Sequence, residues 1–217
     1  YNVSTGNGEG ALRKALEILT DLGLKLEVFP SQLAIVKELI KTKLILAGKS
    51  YTSLSRLQKL ENPKSLSIME ILSVTSSPAY TTSPNLLPIL IFKQVSITAK
   101  QGITNSSAFA YVSLALIYCG VLNDINNGYE FGKLGLLLLD KTSAKEFEPK
   151  TILVFNAFVR FWKEHLRNTL SPLLEAYKVG LEVGDLEFAG ISCYTYTLQS
   201  FHCGKEISNL LREMETY

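Results

Sequence analysis

The stretches SSAFAYVSLALIYCG (106–120) and GYEFGKLGLLLLD (128–140) decide the fold. Each has the length and apolar spacing of one helix, and a polar break separates them. A similar pair follows and ends in GLEVGD (180–185). Helix pairs too thin to bury their own apolar sides gain a core only by stacking on one another. The pattern predicts an all-α fold, a superhelical array of antiparallel helix pairs.

The array has a register. Gly120, Trp162 and Gly204 stand 42 residues apart, and Cys119-Gly120 is echoed by Cys203-Gly204. A period near 42 exceeds the ~34 of a tetratricopeptide repeat and falls in the HEAT and armadillo range. The W-x2-L-G-x2-Y pattern is not met, so the repeats are degenerate, TPR-like or HEAT-like. The chain reads as one helical-repeat domain over 1–217, with N-terminal helices in 1–60 and helix-pair repeats in 61–217. It opens at Tyr1 without methionine and stops at Tyr217 inside a helical pattern, which predicts a fragment of something longer.

Outward from the central pair, Leu12, Leu16 and Leu19 predict a helix that Gly23 ends with a left-handed turn. Pro30 is expected at a first helical position, with Leu33, Val36 and Ile40 forming the inner face of the next helix up to Gly48. LKLEVF (24–29) reads as a connector, and a short polar helix is expected over 53–60. Asn62-Pro63 starts another helix, expected over 66–75 with Ile68, Ile71 and Leu72 inside. Ser83-Pro84 starts a longer one through Leu87, Ile91 and Val95 to Gly102. Asn126 and Asn127 are expected caps for the helix carrying Phe131, Leu134 and Leu138. Gly132 and Gly135 on that helix predict a close helix approach, with leucine at 135 expected to collide. From Pro149, the aromatic row Phe155, Phe158 and Trp162, with Phe161 beside it, is expected to face inward. Leu170, Leu173, Leu174 and Tyr177 are expected on a return helix closed by Gly180 and Gly184. Asp185 should cap the next, with Phe188, Ile191 and Leu198 on its face, and Ile207, Leu210, Leu211 and Met214 finish the chain.

Charge excludes some functions. Twenty-two lysines and arginines face twenty aspartates and glutamates, for a net charge of +2, and the basic residues are scattered in sequence. Neither a nucleic-acid surface nor an anionic membrane surface is suggested. The longest apolar runs, 86–92 and 134–139, fall far short of the ~20 residues that span a bilayer. Three cysteines, Cys119, Cys193 and Cys203, make an odd set without metal-site spacing, which predicts a reducing cytoplasm.

Chemistry finds little footing. Gly48-Lys49-Ser50 looks like the end of a phosphate loop, but G-x-x-x-x-G-K-[ST] needs glycine at 43, where Lys43 stands. It would also follow a helix C-terminus, whose partial negative charge opposes phosphate. Gly6, Gly8 and Gly10 alternate without the dinucleotide-binding spacing. His202 beside Cys203 offers two ligands, and His165 stands apart, so no zinc set forms. No serine, histidine and acid make a triad. The expectation is a segment with no catalytic residue, no cofactor and no metal. Any ligand or partner surface is placed at Tyr111, Tyr118, Phe155 and Trp162.

A family resemblance covers most of the chain. Pro84-x-Leu86-Leu87, Gly102, Asn105, Ser107-Ala108, Ala110-Tyr111, Gly120, Gly128-Tyr129-x-Phe131-Gly132-x-Leu134, Phe155, Trp162, His165-Leu166-Arg167 and Gly180-Leu181-Glu182-x-Gly184-Asp185 occur in an order that resembles the helical region of large bacterial signalling proteins. In that family a serine/threonine-kinase-like domain and an AAA/STAND NTPase precede a tetratricopeptide-like region. A GAF sensor and often a histidine kinase follow it. The resemblance implies a non-catalytic interaction and regulatory segment that relays between NTPase and sensor-kinase modules of a parent chain or meets another signalling protein. It also leaves open a domain that senses a small molecule or peptide inside the superhelix. No catalytic residue of the family falls in this region.

Overall fold

The computed structural model describes residues 8–216. Among the described residues there are eleven α-helices and no strand, so the fold is all-α. They are α1 (Gly8–Asp21), α2 (Gln32–Leu46), α3 (Tyr51–Ser55), α4 (Pro63–Thr82), α5 (Leu86–Gln101), α6 (Ser107–Gly120), α7 (Ile125–Thr142), α8 (Glu148–Phe158), α9 (Leu170–Val183), α10 (Leu186–His202) and α11 (Ile207–Met214). Tyr1, Gly6 and Tyr217, used in the sequence argument, lie outside the described residues. The chain forms two compact units, divided between Ala110 and Tyr111.

In the N-terminal unit, Leu12, Leu16 and Leu19 of α1 recur at helical spacing and are buried with Ile68, Leu72 and Ala79 of α4 and Leu86 and Leu90 of α5. Each of these leucine and isoleucine side chains removed from water is worth about 1.5–3 kcal/mol. Gly23 takes the left-handed turn expected of it, at φ 82°. Asn62 caps α4 by accepting from the Ser65 N–H at 3.0 Å, and Pro63 supplies the first turn, where a missing N–H costs nothing. The helix then runs to Thr82, past the expected end near Thr75. Pro78 removes one intrahelical bond, yet Pro78 and Ala79 are both buried, and that packing carries the helix through.

α2 is turned the other way round from the sequence reading. Ser31 is its cap, accepting from the Ala34 N–H at 3.3 Å, and Pro30 stands just before the cap, not in the first turn. Its inner face carries Glu38, Thr42 and Leu46, while Leu33, Val36 and Ile40 are exposed. α5 explains the orientation. Lys93 meets the Glu38 carboxylate at 2.8 Å, and the Thr42 hydroxyl lies 3.1 Å from that of Ser96. At the end of α5, Gly102 adopts φ 129° and ψ 175°. There the Ile103 N–H donates to Gln58 O at 2.8 Å and the Leu60 N–H donates to Ile103 O at 2.9 Å, an isolated parallel bridge.

In the C-terminal unit Asp124, not Asn126 or Asn127, caps α7. Asn123 turns the chain at φ 53°, and the Asp124 carboxylate accepts from the Asn127 N–H at 3.2 Å. Phe131, Leu134 and Leu138 are buried as expected. Close approach is made at Gly132, as expected, and also at Gly128. A Cβ at Gly128 would come within 3.1 Å of the Ala115 carbonyl of α6, and one at Gly132 within 2.6 Å of the Phe155 ring of α8.

α8 ends at Phe158, and two 3-10 turns, Arg160–Trp162 and Leu166–Thr169, carry the chain to α9. The tighter turn breaks the α-helical register. Phe155 is buried, while Phe158 in the last turn of α8 and Phe161 and Trp162 in the 3-10 turn after it are not, contrary to the expected inward row. Gly180 does not close α9. It lies inside the helix, where a Cβ would stand 2.8 Å from that of Ala189, and Gly184 alone makes the left-handed stop at φ 76°. Asp185 caps α10 as predicted, accepting from the Phe188 N–H at 3.3 Å. The short Gly184-Asp185 link makes α9 and α10 a helical hairpin. The core face of α10 is Ala189, Ser192, Tyr196, Gln199 and Ser200, whereas Ile191 and Leu198 point outward. Leu210 is the buried residue of α11.

Candidate interaction surfaces

The four aromatic residues singled out in the sequence do not share one surface. Tyr111, Tyr118 and Phe155 are buried, and Trp162 is 45% exposed. Phe131 links the two tyrosines, stacked on Tyr111 at 6.1 Å and edge-on to Tyr118 at 5.1 Å. Phe155 packs instead beside Tyr129 at 6.0 Å. Burial pushes the Tyr111 phenol well above the ordinary tyrosine range. A ligand reaching these three rings would have to displace core packing. Trp162 stacks on Phe161 at 5.5 Å and donates from Nε1 to the Phe158 carbonyl at 3.1 Å.

Beside Phe155 lies a polar cluster that the sequence did not announce. The Tyr129 hydroxyl donates to Glu164 at 2.6 Å, Arg160 Nε donates to it at 2.9 Å, and Asn168 Nδ2 at 3.0 Å. The Tyr129 bond, then those of Asn168 and Arg160, holds the Glu164 carboxyl below its ordinary range against a partial desolvation. Burial, then the bond to Glu164, pushes Tyr129 up to about 12. The cluster ties α7 to the 3-10 segment after α8. The signal for it was the Arg160, Glu164, Asn168 spacing, which places three polar groups in reach of one another.

Candidate chemical groups are occupied structurally. Ser50 caps α3 through the Ser53 N–H at 3.1 Å, so the Gly48-Lys49-Ser50 run joins two helices. His165 accepts from the Arg167 N–H at 3.1 Å, and His202 lies edge-on to Phe201 at 5.8 Å. Among the described residues no three His, Cys, Asp or Glu side chains gather as a metal site. Burial raises the thiols of Cys119 and Cys193, which disfavours the nucleophilic thiolate. No described helix is long and apolar enough to cross a membrane.

Apolar side chains do gather on two outward helix faces, one in each unit. On α2, Leu33 is 77% and Leu44 70% exposed, with Val36 and Ile40 between them about half exposed. Beside Leu44, α2 and α5 border a shallow groove of about 480 Å³, with Lys41, Lys93 and Lys100 among its lining residues. On α10, Ile191, Tyr194, Leu198 and Phe201 form an outward stripe, and no Asp, Glu, Lys or Arg occurs from Phe188 to Gly204. Sequence periodicity found this stripe but turned it inward, because the helix is apolar nearly all round and the spacing alone does not choose which side is covered. The signal was the lysine set, Lys37, Lys41 and Lys43, bracketing one stripe.

Comparison with known proteins yields one relative to report. The chain is 23% identical over 128 residues, 58% of its length, to hybrid signal transduction histidine kinase G of Dictyostelium discoideum. It spans 4% of that relative's length. No family model matches the chain, and no solved structure matches it. The similarity is thus to a small part of a protein whose name places it in signal transduction.

Proposed function

We propose that this chain is a non-catalytic helical-repeat interaction segment of a larger signal-transduction protein. In this reading it relays state between NTPase and sensor histidine kinase modules in the cytoplasm, and those modules or another signalling protein are its partners. The observation that carries the reading is the outward face of α10, an uncharged row of Ile191, Tyr194, Leu198 and Phe201. An apolar row of this kind loses little by desolvation when another helix covers it, which is the packing that repeat arrays use. The hairpin α9–α10 and the packing of α10 on both α9 and α8 support helix pairs stacked as degenerate TPR-like or HEAT-like repeats. The similarity to a signalling histidine kinase supports the setting.

Two measurements test the proposal. In-frame deletion of the segment should abolish the stimulus dependence of signalling, and calorimetric titration of the chain with the NTPase domain should give binding that changes with ATP. Signalling that keeps its stimulus dependence after the deletion overturns the relay.

A further inference from the structure

We propose that the outward face of α2 is a docking seam for a single amphipathic helix with acidic residues on both flanks of its apolar stripe. The inference rests on the interaction-segment reading and names one surface and one partner chemistry within it.

α2 is held inside out. Its polar residues Glu38 and Thr42 face α5, bonded to Lys93 and Ser96, with Thr42 Oγ1 also 3.0 Å from the Glu38 carbonyl. Rolling the helix to hide its leucines would swing Glu38 out to solvent and leave the partly buried Lys93 ammonium and the buried Ser96 hydroxyl without these partners. Leu33, Val36, Ile40 and Leu44 are therefore committed to the outside. Leu33, Val36 and Ile40 keep the three-then-four spacing by which one helix meets another, and Leu44 carries the stripe one turn further. At 3.6 residues per turn, Lys37 and Lys43 flank this stripe roughly 120° apart, a seam as narrow as a helix–helix contact requires.

Charge selects the occupant. Lys37, Lys41 and Lys43 are exposed along the stripe, and Lys100 stands beyond it at the groove. Glu38, the one carboxylate of α2, is turned inward and already engaged by Lys93 and, at 3.7 Å, Lys41. A partner helix bearing glutamate or aspartate beside its apolar row would meet lysine on each side. A second copy would set lysines against lysines. A helix that lies in a lipid surface segregates its polar and apolar residues to opposite sides, whereas α2 carries apolar residues around most of its circumference.

The test uses the intact chain and two synthetic amphipathic helical peptides. Both carry leucine on the apolar row, one flanked by glutamate and the other by lysine. Fluorescence anisotropy should show micromolar binding of the acidic peptide, weakening with salt, and none of the basic one. The triple variant Lys37→Glu, Lys41→Glu, Lys43→Glu should reverse that preference. Leu33→Asp with Leu44→Asp should weaken binding at least about tenfold while circular dichroism stays unchanged, and Val121→Asp, at an exposed position on neither face, should leave it intact. Equal binding of both peptides, or no binding at millimolar peptide, overturns the proposal. So does binding to phosphatidylserine vesicles in place of the acidic peptide, or a dimer in sedimentation that Leu33→Asp dissolves. If the acidic peptide fails while the in-frame deletion still silences signalling, the seam is wrong and the relay stands. If the deletion is silent, the relay falls and the seam with it.

Discussion

Replacing Gly102 by alanine should cost the N-terminal unit about 3 to 5 kcal/mol, and the sum can be worked from two separate terms. The backbone there, φ 129° and ψ 175°, lies in a region that only glycine visits freely, and holding another residue in it costs about 1–3 kcal/mol. The added Cβ would also stand 2.6 Å from Gln58 O, 2.9 Å from Leu60 N and 3.1 Å from Lys59 C. These are backbone atoms and cannot rotate aside. Relief requires parting the Lys59–Ile103 bridge, whose two hydrogen bonds are worth about 1 kcal/mol each. Gly48 is the control in the same unit. It has φ 75° but nothing within 4 Å of its Cβ position, so Gly48→Ala should pay the left-handed penalty alone, about 1–2 kcal/mol. Urea unfolding followed by circular dichroism reads both as midpoint shifts at constant slope. If the two variants fall within about 0.5 kcal/mol of each other, the backbone crowding argument is refuted.

Other consequences are as direct. Phe155→Ala should destabilise the C-terminal unit by about 3–5 kcal/mol, because the ring is buried and fills the space left by Gly132; a loss under about 1 kcal/mol in the same unfolding assay would contradict that burial. Gly190→Ala, inside α10 with nothing within 4 Å, should raise stability by up to about 1 kcal/mol, and any loss would mean that the site is tighter than it looks. The Tyr129–Glu164 bond gives stability a window in pH. The depressed Glu164 carboxyl stabilises the fold above the unfolded carboxylate value near 4.3, and that contribution is lost as pH falls through its folded value. Tyr129, raised to about 12, stabilises below the unfolded tyrosine value near 10 and loses this as pH rises toward 12. Tyr129→Phe should therefore flatten the alkaline limb and move the acid limb to higher pH. Superimposable profiles for variant and parent would refute the coupling.

Helices with one apolar stripe and a clear stop were legible in the sequence. Leu12, Leu16 and Leu19 with Gly23, and Asn62-Pro63 at the head of α4, were read in place. Phe131, Leu134 and Leu138 on α7, and Asp185 before α10, were too. Local chemistry decides each of these: a cap must bond the first free N–H groups, and a left-handed turn wants glycine. Trp162 was misread because a helical period was carried through a 3-10 turn that no residue type announces. Of the aromatic candidates, Phe155 was expected to face inward and does, whereas the placing of Tyr111, Tyr118 and Phe155 on a ligand surface fails because the core encloses all three.

What the sequence by itself determined is an all-α chain and most of its helix starts and stops, because these depend on residues within a turn of one another. Which side of α2 and α10 turns inward was decided only by the tertiary structure. α2 carries apolar residues around most of its circumference, and its orientation follows from the Glu38–Lys93 pair and the Thr42–Ser96 bond, both made to residues of α5 more than fifty positions away. α10 is oriented by Ala189 against Gly180 of α9. A periodic pattern gives the angle between side chains on one helix, but only the neighbouring helix sets which of those angles is inside.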